Sequence, residues 1–237
     1  MKSSWSDFFN NRKKILSFFA LVVLTILVAI LFSKFLIWNE SRIGKIFNDP
    51  ILGRFKPINV SALIGVLTNG AIFLAILSLL KRPSTTIYLL VAITMMCIIR
   101  GLSIYLVVLE PPVNIIPLRD PLLELSFYQG QVLLKDLFFS GHTANIILSG
   151  LLVENVRTKR IIIFLGLVVG VLLVLQHVHY SIDVLAAPVF AILTYKLSIL
   201  IGNLWIINTT GIEKRHGKIW DELGFISRAK KLSGPKT

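Results

Sequence analysis

Long apolar runs set between short polar segments constrain this chain more than any other feature. The first runs from Ile15 to Trp38, directly after Arg12, Lys13 and Lys14. About 20 mostly apolar residues suffice to cross about 30 Å of hydrocarbon as a helix. The run is longer than a signal-peptide core and lacks a small-residue cleavage site, so it reads as an uncleaved span. Further runs cover Val60 to Leu80, Thr86 to Leu109, Leu133 to Val153, Ile161 to Gln176 and His179 to Ile206. The expectation is an all-α, polytopic membrane protein with six transmembrane helices. Trp5, Phe8 and Phe9 fall at i, i+3 and i+4 and suit either a short interfacial helix or a loose aromatic tail.

Composition supports this reading. Of the 237 residues, 55% are hydrophobic and 16% charged, and mean hydropathy is +0.79. Soluble domains are about 45–50% apolar and about 25% charged. The net charge of +13 could suggest a nucleic-acid partner. Here, however, the basic residues lie between apolar runs, and little soluble surface is left to carry them, so no nucleic acid is expected. The one cysteine, Cys97, excludes an internal disulfide framework.

The basic residues also predict an orientation. Arg12, Lys13, Lys14, Lys81, Arg82, Arg157, Lys159, Arg160 and the cluster from Lys214 to Lys236 fall on one side of a six-span path. Arg42, Lys45, Arg54, Lys56, Arg119 and Lys135 fall on the other, and Lys34, Arg100 and Lys196 lie within spans. Both termini are therefore expected in the cytoplasm. The chain divides into an interfacial segment at 1–14, a transmembrane domain at 15–206 with its motifs at about 95–195, and a basic cytoplasmic tail at 207–237. The loop from Asn39 to Asn59 carries four cations, which could draw in anionic headgroups or simply keep the loop soluble.

Two of the four histidines begin spans that run in the same direction. His142 stands near the start of the fourth and His179 at the start of the sixth, so both face the side away from the termini. His179 and Asp183 are i, i+4 and share a helix face. The carboxylate can hold one imidazole nitrogen and leave the other as a nucleophile. His142 can donate a proton to a leaving group. Helix amino ends suit a phosphate, and Arg100, within the third span, can grip its oxygens. Taken singly, each residue has a plainer role: a cap, an interfacial side chain, or an Arg100 ion pair with Asp136 or Asp183. His177, two residues before His179, points away from it. Tyr180 reads as an interface anchor or a substrate contact. Two histidines, a paired aspartate and an intramembrane arginine in one half of the bilayer favour the functional reading.

Ser140-Gly141-His142 and His179-x-x-x-Asp183 resemble the second and third signatures of the type 2 phosphatidic acid phosphatase (PAP2) superfamily. The closer resemblance is to its sphingomyelin synthase branch. Asp136-x-x-x-Ser140-Gly141-His142-Thr143 and His179-Tyr180-Ser181-Ile182-Asp183-Val184 match that branch, with Ser181 in place of threonine. Arg100-Gly101-Leu102-Ser103 and Leu109-Glu110-Pro111-Pro112 follow a third motif, with Glu110 replacing a proline. The phosphatases' Lys-x6-Arg-Pro signature is absent, and Leu173 stands where they carry an arginine.

The resemblance implies a PAP2-like helical bundle and a lipid phosphotransferase, with membrane lipids as partners: a phospholipid donor and a ceramide-like alcohol acceptor. It assigns His142, His179 and Asp183 to catalysis through a phosphohistidine. Arg100, Ser140, Gly141, Asp136 and Tyr180 are assigned to phosphate or substrate. No metal and no other cofactor is called for, and a homo-oligomer is compatible with the sequence. The alternatives are a lipid phosphate phosphatase using water as acceptor, and a non-catalytic lipid-binding or transport protein.

Overall fold

The structure, a computed structural model, describes residues 5–119 and 130–210. The expected basic tail, beyond Thr210, lies outside the described residues. The described chain is helical apart from irregular connections and one isolated bridge between Lys45 and Leu109. The helices are α1 (Trp5–Phe9), α2 (Arg12–Asn39), α3 (Ser61–Leu79), α4 (Pro83–Leu106), α5 (Gly141–Leu152), α6 (Val156–Leu175) and α7 (Ser181–Thr210), with a single 3₁₀ turn at Leu52–Arg54.

Local chemistry sets the helix starts. The Asn11 side chain accepts from the N–H groups of Lys13 and Lys14 and begins α2. Asn155 does the same for α6 through Arg157 and Thr158. Pro83 opens α4, where its missing N–H costs nothing. The aromatic cluster before α2 is not a loose tail. Phe8 is buried, and the Trp5 indole donates to the Leu80 carbonyl at the end of α3.

Among the described residues, five helices are long and apolar enough to cross a membrane: α2, α3, α4, α6 and α7 up to Leu204. The fourth expected run differs. Its helix begins only at Gly141 and has 12 residues, about 18 Å at 1.5 Å per residue. The preceding segment gains more as extended chain, because its polar groups find partners there. Glu40 accepts from the N–H groups of Leu134 and Lys135, and Asn39 donates to the Lys135 carbonyl. The Lys135 ammonium reaches Glu110 at 2.9 Å.

This short helix is the centre of the bundle. It packs on α6 and α7 and also touches α3 and α4. Gly166 and Gly170 on α6 permit the close approach. A Cβ on Gly166 would meet Ile147 at 2.9 Å, and one on Gly170 would meet Val184 at 2.7 Å. Small residues four apart bring membrane helices together in this way. By contrast α2 is peripheral and presents Leu16, Phe19, Val23 and Leu31 outward, as a lipid-facing helix does.

Glu154, just after α5, pairs with Arg82 at the start of α4. The carboxyl end of α5 therefore lies at the face where α4 begins. Since α4 has 24 residues, or about 36 Å, the amino end of α5 is recessed well below the far end of α4. That recess holds the site.

Candidate functional site

The site is assembled where α5 and α7 begin. The Ser140 N–H donates to the Asp183 carbonyl at 3.1 Å and joins the Ser140-Gly141-His142 turn to the first turn of α7. Gly170 of α6 supports the junction, since a Cβ there would touch both Val184 and Thr143. The Ser140 hydroxyl donates to Thr143 Oγ1 at 3.2 Å. Two helix amino ends thus meet, and that of α5, which has no side-chain cap, offers N–H groups and a dipole that favour an anion.

His179 precedes α7 and is 3% exposed. Its Nδ1 lies 3.3 Å from Asp183 Oδ2, which also accepts from the Tyr180 N–H at 3.2 Å. A carboxylate can only accept, so Nδ1 carries the proton and Nε2 of the neutral ring keeps its lone pair. Asp183 is fully buried, and its Oδ1 has no protein donor. A buried, incompletely satisfied carboxylate is costly unless a cation shares its surroundings. An imidazolium formed at His179 would be such a cation. His142 stands in the first turn of α5 and is partly exposed.

Arg100 lies six residues before the end of α4 and is 5% exposed. Its Nη2 donates to Asp136 Oδ1 at 2.5 Å, and the guanidinium sits 5.8 Å from the ring centres of Phe32 and Phe139. Nε finds no protein acceptor. The guanidinium also presses against the backbone of Gly141: a Cβ there would fall 1.5 Å from Nη1. Arg100 therefore reaches the residue beside His142 while paired with an aspartate of the same segment. Beneath it, a largely apolar cavity of about 360 Å³ lies between α2, α3, α4 and α5, lined among others by Phe32, Ile76, Ile93 and Leu148.

The remaining sequence-predicted residues are placed as follows. Asp136 faces Arg100 and is one of the two partners, with Asp183, that the ion-pair reading named. Ser140 and Gly141 form the turn that carries His142. Tyr180 is buried and turned toward the loops: its hydroxyl donates to the Glu110 carbonyl at 2.9 Å and receives the Phe47 N–H at 3.3 Å. Burial raises its pKa, and the nearby Asp183, Asp49 and Glu110 carboxylates raise it further, so it stays a neutral phenol.

Several positioning residues carry no sequence signal. Asp49, in the loop after α2, accepts the Ser181 N–H at 2.6 Å and the Ser181 hydroxyl at 2.8 Å, and so caps α7 from 132 positions away. Burial works to raise the Asp49 carboxyl, but the donors from Ser181, Ile51 and Leu52 outweigh it and hold the pKa below 3.8. Gln176 ties the end of α6 to Val60, Ser61 and Ile116. Glu110, held low by the Gly44 N–H and by Lys135, fixes the start of the same loop. Glu40 shows the opposite balance: burial raises it more than the Lys135 and Leu134 N–H groups lower it. Among the described residues, no three His, Cys, Asp or Glu side chains gather as a metal site would require.

Residues 135–200 match a family model described as PAP2 superfamily C-terminal. This segment runs from the approach to Asp136, through both histidines, into the second half of α7. No curated protein matches the chain, and no solved structure does.

Proposed function

Because this chain belongs to the PAP2 superfamily through its 135–200 segment, we propose that it is a membrane lipid phosphotransferase. It would move a phospho-headgroup from a phospholipid to a lipid alcohol, with ceramide-like alcohols as the acceptor class. The observation that carries the reading is the buried His179–Asp183 pair, joined by backbone to the turn bearing His142 and closed by Arg100.

The proposed cycle has two transfers. His179 Nε2 attacks phosphorus, the bond to the diacylglycerol oxygen breaks, and that oxygen takes a proton from His142. The phosphohistidine ring is cationic, and Asp183 offsets its charge. The acceptor hydroxyl then gives its proton to His142 and attacks the same phosphorus, which restores His179. Arg100 and the amide groups opening α5 meet the negative charge as it builds on the phosphate oxygens. The apolar cavity beneath Arg100 is suited to an acyl chain, which favours a lipid over a soluble phosphate ester.

The test is transfer of an isotopically labelled headgroup in proteoliposomes. His179→Ala should abolish transfer, and His142→Ala should lower it by about 100- to 10,000-fold. Retained transfer in His179→Ala and Asp183→Asn protein would overturn the assigned roles. The same assay, read for free phosphate from a lipid phosphate, separates transfer from hydrolysis. Substrate movement without a covalent phospho-enzyme would instead mark a transport protein.

A further inference from the structure

A second cleft opens on the loop side of α7, of about 670 Å³, and none of His142, His179 or Arg100 lines it. Its walls come from residues 46–57, residues 112–114, and His177 with Tyr180. The segment 46–57 is held in place by Asp49 on Ser181 and by the Phe47 N–H on Tyr180.

His177 is the feature that the fold alone does not explain. It is 3% exposed and adopts a left-handed backbone with φ of 57°. Its ring packs edge-on against Phe55 at 5.2 Å. Nδ1 lies 3.5 Å from the Val113 carbonyl, and a carbonyl can only accept, so Nδ1 bears the proton. Nε2 is buried and has no protein partner. A buried polar atom without a partner costs free energy, and a donor that reached Nε2 from the cleft that His177 lines would recover it. Arg54 and Lys56 line the same cleft and bring two positive charges to it. The one carboxylate of the lining, Asp49, already serves four donors from Ser181, Ile51 and Leu52.

We propose that this cleft is a phosphate-binding site distinct from the catalytic set, with His177 Nε2, Arg54 and Lys56 as its ligand groups. The monoanion of a phosphate monoester, the form populated below its second pKa near 6, carries an O–H that can donate to the Nε2 lone pair. The contact is then O–H to nitrogen or N–H to oxygen, and either fills the vacancy at Nε2. Arg54 and Lys56 balance the remaining charge. Two sources offer this chemistry: free phosphate in the aqueous phase, and the headgroup of a lipid phosphate in the adjoining leaflet.

The experiment uses the full chain in phosphatidylcholine nanodiscs, with His142→Gln and His179→Gln, so that the catalytic pair neither turns over nor reports. Ring ¹⁵N resonances are followed by NMR, and His177 is identified by its absence from His177→Asn, since asparagine tolerates the left-handed backbone. One arm titrates inorganic phosphate, and the other adds phosphatidic acid to the nanodisc. The expected result is a saturable shift of the His177 ring. Arg54→Gln with Lys56→Gln, both on the surface and harmless to folding, should weaken it about tenfold. A shift with phosphate assigns the soluble source, one with phosphatidic acid alone assigns the headgroup, and both support the site. If neither probe shifts the ring, or the double variant binds as tightly, the proposal is overturned. Because the catalytic histidines are absent throughout, the outcome is independent of the transfer reaction.

Discussion

Gly141 shows how far one side chain can be read, and where reading stops. In the sequence it is the middle of Ser140-Gly141-His142, and the helix start accounts for it. In the structure its missing Cβ makes room for the Arg100 guanidinium. The obstacle to an added methyl is the far end of a flexible side chain, so Gly141→Ala should fold. Arg100 would have to swing away from Asp136 and from the turn beside His142. A displacement of about 1 Å at a reacting centre can cost about a hundredfold. Transfer in Gly141→Ala should fall by about that factor while the thermal midpoint stays near that of the parent. A collapse of the midpoint, or full activity, would show that the contact does not position the arginine. The His179–Asp183 pair was legible from its i, i+4 spacing, although His179 lies two residues before α7 and not on the helix, as the shared-face reading had it. The Arg100–Asp136 pair was legible only as one of two choices, because nothing local says which aspartate a buried arginine will meet. Asp49 was not legible at all: its loop carries no motif, and its partner Ser181 is brought to it by the fold.

At the scale of elements, periodicity and length located five helices to within a few residues and misjudged the fourth. A run of apolar residues with Lys135 and Asp136 inside it reads as one span, since hydropathy cannot tell a long helix from an extended approach followed by a short one. What decides is the set of partners for Leu134, Lys135 and Asp136, and those lie on α4 and on the loops after α2 and α4. The same loops set how α7 starts. Asp49→Ala leaves the Ser181 N–H and hydroxyl without their acceptor, which should cost about 2 kcal/mol. The pH dependence has a definite sign. The Asp49 carboxyl is held below 3.8, so its contribution is complete above that value and is lost as pH falls through the folded pKa. Glu110 is also held low and acts in the same direction, whereas Glu40 is raised and gains stability on protonation. Thermal melts in detergent should show the parent losing more stability than Asp49→Asn between pH 7 and about pH 3. Equal losses would mean that the cap does not hold the loop to α7.

For the whole molecule, the recessed amino end of α5 raises the question of how many times the chain crosses the bilayer. Five full-length spans, counted alone, would put the two ends of the described chain on opposite faces. We propose a sixth crossing, begun by the extended segment before α5 and completed by α5. Its carboxyl end meets Arg82 through Glu154, at the face where α2 and α4 start. The Tyr88 hydroxyl donates to Asn203 near the end of α7, which brings the last helix to that same face. From the distribution of Lys and Arg we propose that this face is the cytoplasmic one. In a Cys97→Ser background, a cysteine at Asn48 should react with a membrane-impermeant maleimide on intact cells. Cysteines at Asn10 and Asn155 should react only after permeabilisation. Asn155 is the decisive position, since it follows α5 directly and would be exposed beside Asn48 if α5 did not carry the chain across. Labelling of Asn155→Cys on intact cells would invert α6 and α7 relative to α2, and the two histidines could not then share one site.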